Sequence, residues 1–137
     1  MEAQETYVDN DVSTQERAKL VAMLYDGAIK FLRTAKQKLQ EGDYALKGVY
    51  IGKAQDIVAE LNNCLNVQAG PQIANDLRAL YNFLYGHLTQ ANIERSPEMI
   101  DESIKVLAEL RQAWEQAAAN GGDQPDSARQ TGFSYQA

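Results

Sequence analysis

The stretch KLVAMLYDGAIKFL, residues 19–32, decides the fold class of this chain. Placed at about 100° per residue, its apolar side chains cover roughly 180° of a helix, whereas a stripe that faces one core needs only about 100°. One part of this arc is assigned to a bundle core: Leu20, Leu24, Phe31 and Ala35. The adjoining part is surplus and is assigned to a second contact: Val21, Tyr25, Ile29 and Leu32. The stretch therefore predicts an amphipathic helix that faces more than one neighbour.

Start and stop signals divide the chain into four helical segments. The signals are a capping box at Ser13 and Glu16, an end at Gly42 and a cap at Asp43, a break at Gly70 and Pro71, a cap at Ser96 before Pro97, and a stop at Asn120, Gly121 and Gly122. They predict a first helix up to Gly42, a second to about residue 66, a third over 71–93 and a fourth to 119.

The pattern of these segments predicts an all-α fold. No segment alternates with a period of two and β-branched residues are few, which argues against strands. Four helices of similar length joined by short loops favour an antiparallel up-down-up-down four-helix bundle. We expect one domain over residues 13–119, a mobile N-terminal segment over residues 1–12 and a disordered tail over residues 120–137, which is rich in Gly, Ser, Gln and Asp.

Composition argues against some classes of partner and indicates the cellular compartment. The formal net charge of −6 disfavours nucleic acid, which attracts basic proteins. No run of residues is long and apolar enough to insert into a membrane, and the N-terminus lacks the apolar core of a secretory signal. The single Cys64 suits a reducing compartment. We therefore predict a cytoplasmic protein.

Known catalytic patterns are not found in the sequence. His87 has no Glu three residues before it, so it does not match the pattern of a di-iron bundle, and one His with one Cys is too few for zinc. Cys64 with His87 as a nucleophilic pair and His87 as a phosphotransfer residue are two minor alternatives. We expect no cofactor, no metal and no enzymatic activity.

On several helices the apolar side chains cover a wider arc than one core needs, which indicates a groove that binds another protein. Tyr25, Tyr50, Tyr81 and Tyr85 border these stripes, and tyrosine is favoured at interfaces. An amphipathic helix of a partner would fill such a groove. The alternative is that each helix touches two neighbours, which also widens a stripe, and that the tyrosines satisfy their hydroxyls at the edge of the core.

Four motifs in order resemble the family of FliS flagellin secretion chaperones. They are residues 19–32, GKAQDIVAELNNCL at 52–65, NDLRALYNFLYGHLTQAN at 75–92 and IDESIKVLAELRQAW at 100–114. The resemblance covers roughly residues 7–117. The chain departs from it at Thr14-Gln15-Glu16-Arg17, where the family has a turn with proline, at Gly48, where Asn is common, and at Gly70-Pro71, where Gly-Gly is usual.

The resemblance implies a chaperone that binds the C-terminal segment of newly made flagellin in the cytoplasm. Holding this segment would prevent premature polymerisation and keep flagellin competent for export, after which the chaperone docks at the export gate of the flagellar type III apparatus. The alternative is a helical adaptor that binds another amphipathic client. An unfilled groove would also favour a weak homodimer without client.

The binding groove is expected along the outer stripe of the first three helices. The predicted residues are Val21, Tyr25, Ile29, Leu32, Tyr50, Lys53, Gln55, Ile57, Leu61, Tyr81, Tyr85 and Asn92. Tyr7, which corresponds to a tyrosine usual in the family, is predicted to cover part of the groove when flagellin is absent.

Overall fold

The computed structural model describes residues 14–65 and 71–119, and the segments of regular structure in these ranges are four α-helices. The helices are α1 (Thr14–Gln40), α2 (Tyr44–Asn63), α3 (Pro71–Glu94) and α4 (Pro97–Ala119). The predicted all-α class is therefore confirmed, and the predicted ends agree with the observed ones to within about three residues.

Local sequence signals explain two of the turns. The Asp43 carboxylate accepts a hydrogen bond of 3.1 Å from the amide of Leu46, and Gly42 before it has a φ of +81°, as expected for a glycine that ends a helix. The Ser96 hydroxyl accepts a bond of 3.1 Å from the amide of Met99 and so caps α4. The caps predicted at Ser13 and Gly70 lie outside the described residues.

The helices form a closed ring of neighbours. α1 packs against α2 and α4, and α3 packs against the same two helices from the other side. Each helix packs against the next one along the chain, and the first packs against the last, so this is the four-helix bundle that the sequence predicts. The start of α1, the end of α2, the start of α3 and the end of α4 lie at the same end of the bundle.

A continuous apolar core fills the bundle. At its centre the hydroxyls of Tyr25 on α1 and Tyr81 on α3 hydrogen-bond to each other at 2.5 Å, and both residues are 0% exposed. Leucine and isoleucine side chains from all four helices surround this pair. Because the two hydroxyls bond to each other, the diagonal helices carry two large side chains with polar tips in the core, and neither tyrosine hydroxyl is left without a partner.

The expectations for the two ends of the chain, a mobile segment over residues 1–12 and a disordered tail over 120–137, fall outside the described residues. Within the described ranges, none of the helices has both the length and the apolar character needed to cross a membrane.

Candidate partner-binding site

The structure reverses the assignment of the two apolar arcs on α1. Val21, Tyr25, Ile29 and Leu32, predicted to be the surplus that lines a groove, are at most 8% exposed and belong to the core. Of the residues predicted to form the core stripe, only Ala35 is buried. Leu20 is 58% exposed, and Leu24 and Phe31 are half-buried at the edge of the core.

Two small residues explain which arc faces inward. Ala28 and Ala35 are 0% exposed and lie one above the other on the buried side of α1. Small side chains let neighbouring helices approach, and the large Tyr25 and Leu32 beside them fill the remaining space. Hydrophobic periodicity gives the width of an arc but not the direction of the core. The pair of alanines is the sequence signal that could have indicated it.

The outward arc of α1 and the adjacent flank of α2 form a partly exposed apolar surface, here called the α1–α2 surface. Its residues are Leu20, Met23, Leu24, Gly27 and Phe31 on α1 and Tyr50, Lys53 and Ile57 on α2. They repeat at helical spacings of three and four, so each set lies along one side of its helix. Met23, at 64% exposed, was not singled out from the sequence, whereas Tyr50, Lys53 and Ile57 were.

Contacts across the α1–α2 surface are aromatic and apolar. The rings of Phe31 and Tyr50 have centroids 6.0 Å apart and are tilted by 38°. The Lys53 ammonium lies 5.8 Å from the centroid of Phe31, within the range of a cation–π contact. A Cβ at Gly27 would come within 3.2 Å of Ile57 Cδ1, so the glycine allows the two helices to approach closely at this level.

The remaining predicted groove residues do not lie on the α1–α2 surface. Leu61 and Tyr81 are 0% exposed and belong to the core, which corrects their assignment to the groove. Tyr85, at 45% exposed, is accessible on α3. Gln55 lies on the other flank of α2, where its amide donates to the carbonyl oxygen of Tyr85 at 3.0 Å and to Thr89 Oγ1 at 2.7 Å. Tyr7 lies outside the described residues.

Asn92 is held within the bundle by a buried lysine. The Lys47 ammonium donates to the carbonyl oxygen of Asn92 at 3.0 Å and to its side-chain Oδ1 at 2.5 Å, while Lys47 itself is only 5% exposed. Burial, and then the nearby charge of Arg95, lower the pKa of Lys47. The Arg95 guanidinium in turn stacks 3.8 Å from the ring centroid of Tyr44. Asn92 therefore joins α3 to α2 and is not free to meet a client.

The two residues considered for chemistry each have a structural partner. His87 Nε2 lies 2.7 Å from Glu102 Oε1, and its imidazole stacks on Phe83 with ring centroids 5.0 Å apart. The Cys64 thiol donates to Glu60 Oε2 at 3.6 Å. Burial, followed by this hydrogen bond and the charge of Glu60, raises the pKa of Cys64, which keeps the thiol protonated. Residues 14–65 and 71–119 contain no group of three or more His, Cys, Asp or Glu side chains placed to hold a metal ion.

Comparison with known proteins identifies the family. Residues 1–121 match the family described as flagellar protein FliS. The flagellar secretion chaperone FliS of Vibrio cholerae is 39% identical over 109 residues, which are 80% of each chain. The chaperones of the same name from Bacillus subtilis and Salmonella typhimurium are 36% and 33% identical over 111 and 110 residues, each match covering at least 80% of both chains. On these matches, the chain belongs to the FliS family of flagellar secretion chaperones.

Proposed function

We propose that this protein acts in the cytoplasm as a chaperone for flagellin and binds the C-terminal segment of flagellin on the α1–α2 surface. Binding would keep that segment from polymerising before export, and the complex would then dock at the flagellar export gate without any catalytic step by the chaperone. The observation that carries the proposal is an apolar surface in which Leu20 and Met23 on α1 are exposed and Phe31, Tyr50 and Ile57 are half-buried beside them.

The shape of this surface suits an amphipathic helix. Leu20, Leu24 and Phe31 follow one side of α1 over three turns, and α2 provides the second wall with Tyr50 and Ile57. A helix with apolar residues at positions i, i+3, i+4 and i+7 would place its side chains between these walls. Lys53 at the edge could keep its charge in water while its alkyl chain contacts the client.

Energetics indicate that the α1–α2 surface is an anchor and not the whole interface. Burying one fully exposed large apolar side chain contributes about 1.5–3 kcal/mol, so Leu20 at 58% and Met23 at 64% exposed would together contribute roughly 2–4 kcal/mol. Ordering a disordered segment costs about 2–5 kcal/mol or more, in addition to the loss of rigid-body freedom. Tight binding therefore requires further contacts. Other exposed apolar side chains are available, among them Val49 on α2 and Tyr85 on α3.

A peptide titration tests the proposal. A synthetic peptide from the C-terminus of flagellin is titrated into the full-length chain by calorimetry, and helicity is followed by circular dichroism. We expect saturable binding with a gain of helix. Leu20→Asp should weaken binding by at least about tenfold, since burial worth about 1–2 kcal/mol is lost and a carboxylate is placed in the interface, and every 1.4 kcal/mol corresponds to a factor of ten.

Ile93→Asp is the matched control. Ile93 is 69% exposed, close to the 58% of Leu20, but it lies near the end of α3, at the other end of the bundle from Leu20. It should change affinity by less than about threefold, because surface substitutions outside an interface have small effects. Absence of heat and of helix gain with the native chain would reject flagellin binding. Binding that tolerates Leu20→Asp would instead reject the assigned surface and leave the function standing.

Two further parts of the proposal concern the chain without its client. The N-terminal segment with Tyr7 would cover part of the α1–α2 surface, since α1 begins only a few residues before Leu20. Deleting residues 1–12 should then tighten binding of the flagellin peptide, and unchanged affinity would reject the covering role. An uncovered surface should also promote a weak homodimer that the peptide dissociates, which sedimentation velocity can measure.

A further inference from the structure

A second concave surface lies between α1 and α4, on the side of α1 that faces away from α2. This α1–α4 groove has a volume of about 570 Å³. The lining residues that matter here are Asp26, Ile29, Lys30, Arg33, Ala108 and Arg111. Ile29 and Ala108 provide the apolar part of the lining, and the other four side chains carry charge.

The distribution of charge makes this groove unusual in the molecule. The whole chain has 13 basic and 19 acidic residues, yet α1 alone has six Lys and Arg against two acidic residues. In the groove, Asp26 is already neutralised, because Arg111 Nε lies 2.5 Å from Asp26 Oδ1. Asp26 also raises the pKa of Arg111, so this guanidinium stays charged. Lys30 and Arg33 are exposed and make no ion pair with any residue in the described ranges.

Unpaired cations beside a groove favour an anionic occupant. Lys30 and Arg33 are three residues apart on one face of α1, so their like charges repel each other until an anion binds. The two cations lie about one helical turn apart along the groove, a spacing that suits two carboxylates of one peptide better than a single small anion. Nucleic acid and anionic membranes present extended negative surfaces that the whole chain, with a net charge of −6, would repel, whereas a short acidic segment would contact only the groove.

We propose that the α1–α4 groove is a docking site for an acidic peptide segment of a partner protein, separate from the α1–α2 surface. Carboxylates of the segment would pair with Lys30 and Arg33, and small apolar side chains would rest on Ile29 and Ala108. Arg33 lies on a different side of α1 from Leu20 and Phe31, whereas Lys30 follows Met23 by seven residues and so lies where the groove adjoins the α1–α2 surface. This proposal does not depend on flagellin being the client.

Fluorescence anisotropy with a labelled peptide that alternates Glu with Ala tests the groove. The native full-length chain should bind it, and binding should weaken clearly between about 0.1 and 0.5 M salt, as screening predicts. Lys30→Glu combined with Arg33→Glu should weaken binding by at least about tenfold. Arg78→Glu combined with Lys105→Glu changes the net charge equally at exposed positions outside the groove, and should weaken binding by less than about threefold.

Three outcomes would overturn the proposal. The native chain could fail to bind the peptide, or the two double variants could weaken binding equally, which would indicate attraction by net charge alone. The third is that binding is seen only after residues 1–13 are deleted. Residues 1–13 contain four acidic residues and no Lys or Arg, so that result would assign the groove to this segment of the chain itself. Circular dichroism checks that each variant keeps its helices.

Discussion

The two flanks of α2 hold their neighbours by different kinds of contact. Toward α1, Tyr50, Lys53 and Ile57 pack by aromatic, cation–π and apolar contact against Phe31 and Gly27. Toward α3, the contacts are hydrogen bonds: those of Lys47 to Asn92, those of Gln55 to Tyr85 and Thr89, and that of Asn62 Nδ2 to Asn82 Oδ1 at 3.0 Å.

The difference shows how one helix can serve the fold on one side and a partner on the other. Hydrogen bonds depend on distance and angle, so the bonds to Asn92, Thr89 and Asn82 fix the position of α2 along α3. Apolar contact has no such direction, and a side chain of a partner can replace water on the α1–α2 surface without leaving a donor or acceptor unpaired. We therefore expect substitutions on the α3 side to change stability, and those on the α1–α2 surface to change binding.

The largest expected effect separates two leucines of α1. Leu32→Ala should lower the free energy of unfolding by about 2–5 kcal/mol, because Leu32 is 0% exposed and its loss leaves a cavity. Leu20→Ala should change it by less than about 0.5 kcal/mol and weaken client binding instead, since Leu20 is 58% exposed. Urea unfolding followed by circular dichroism measures both. Equal losses of stability would contradict the division of α1 into a core side and a partner side.

These two leucines also show what the sequence can predict. The cap at Asp43 and the turn at Gly42 depend on neighbours a few residues away, so local sequence predicts them, as it does the four helices and their bundle. Whether Leu20 or Leu32 faces the core depends on where the other three helices pack, which periodicity within α1 does not contain. Half of the predicted groove residues were therefore assigned to the wrong side, among them Tyr25 and Tyr81, whose hydroxyls bond to each other in the core.

A smaller effect is expected on the hydrogen-bonded flank. Asn92→Ala removes the Oδ1 acceptor of the buried Lys47 ammonium, which should cost about 1–3 kcal/mol of unfolding free energy. Asn82→Ala removes an exposed amide of the same helix, whose side chain bonds to that of the half-buried Asn62, and should cost less than about 0.5 kcal/mol. Neither variant should alter client binding. If Asn92→Ala lowered the affinity for the client without changing stability, Asn92 would have to be part of the client-binding surface.

The smallest effect is a dependence of stability on alkaline pH that originates at Lys47. The pKa of Lys47 in the folded state is lowered from 10.5, first by burial and then by the charge of Arg95. At pH values between this lowered pKa and 10.5, the unfolded chain therefore binds more protons than the folded chain. Stability contributed by this group therefore rises with pH through that window, by at most about 1.4 kcal/mol per pH unit, and is lost as pH falls through the folded pKa. Lys47→Met abolishes this titration.

The measurement is the difference in unfolding free energy between the native chain and Lys47→Met, taken by urea titration at several pH values between about 8 and 10.5. Taking the difference cancels the titration of the tyrosines, which both chains share. The difference should shift in favour of the native chain as pH rises. A shift in the opposite direction would mean that the hydrogen bonds to Asn92 stabilise the ammonium by more than burial and Arg95 destabilise it. The contact between α2 and α3 would then be a net favourable charge-assisted pair, and the polar flank would be the stronger of the two.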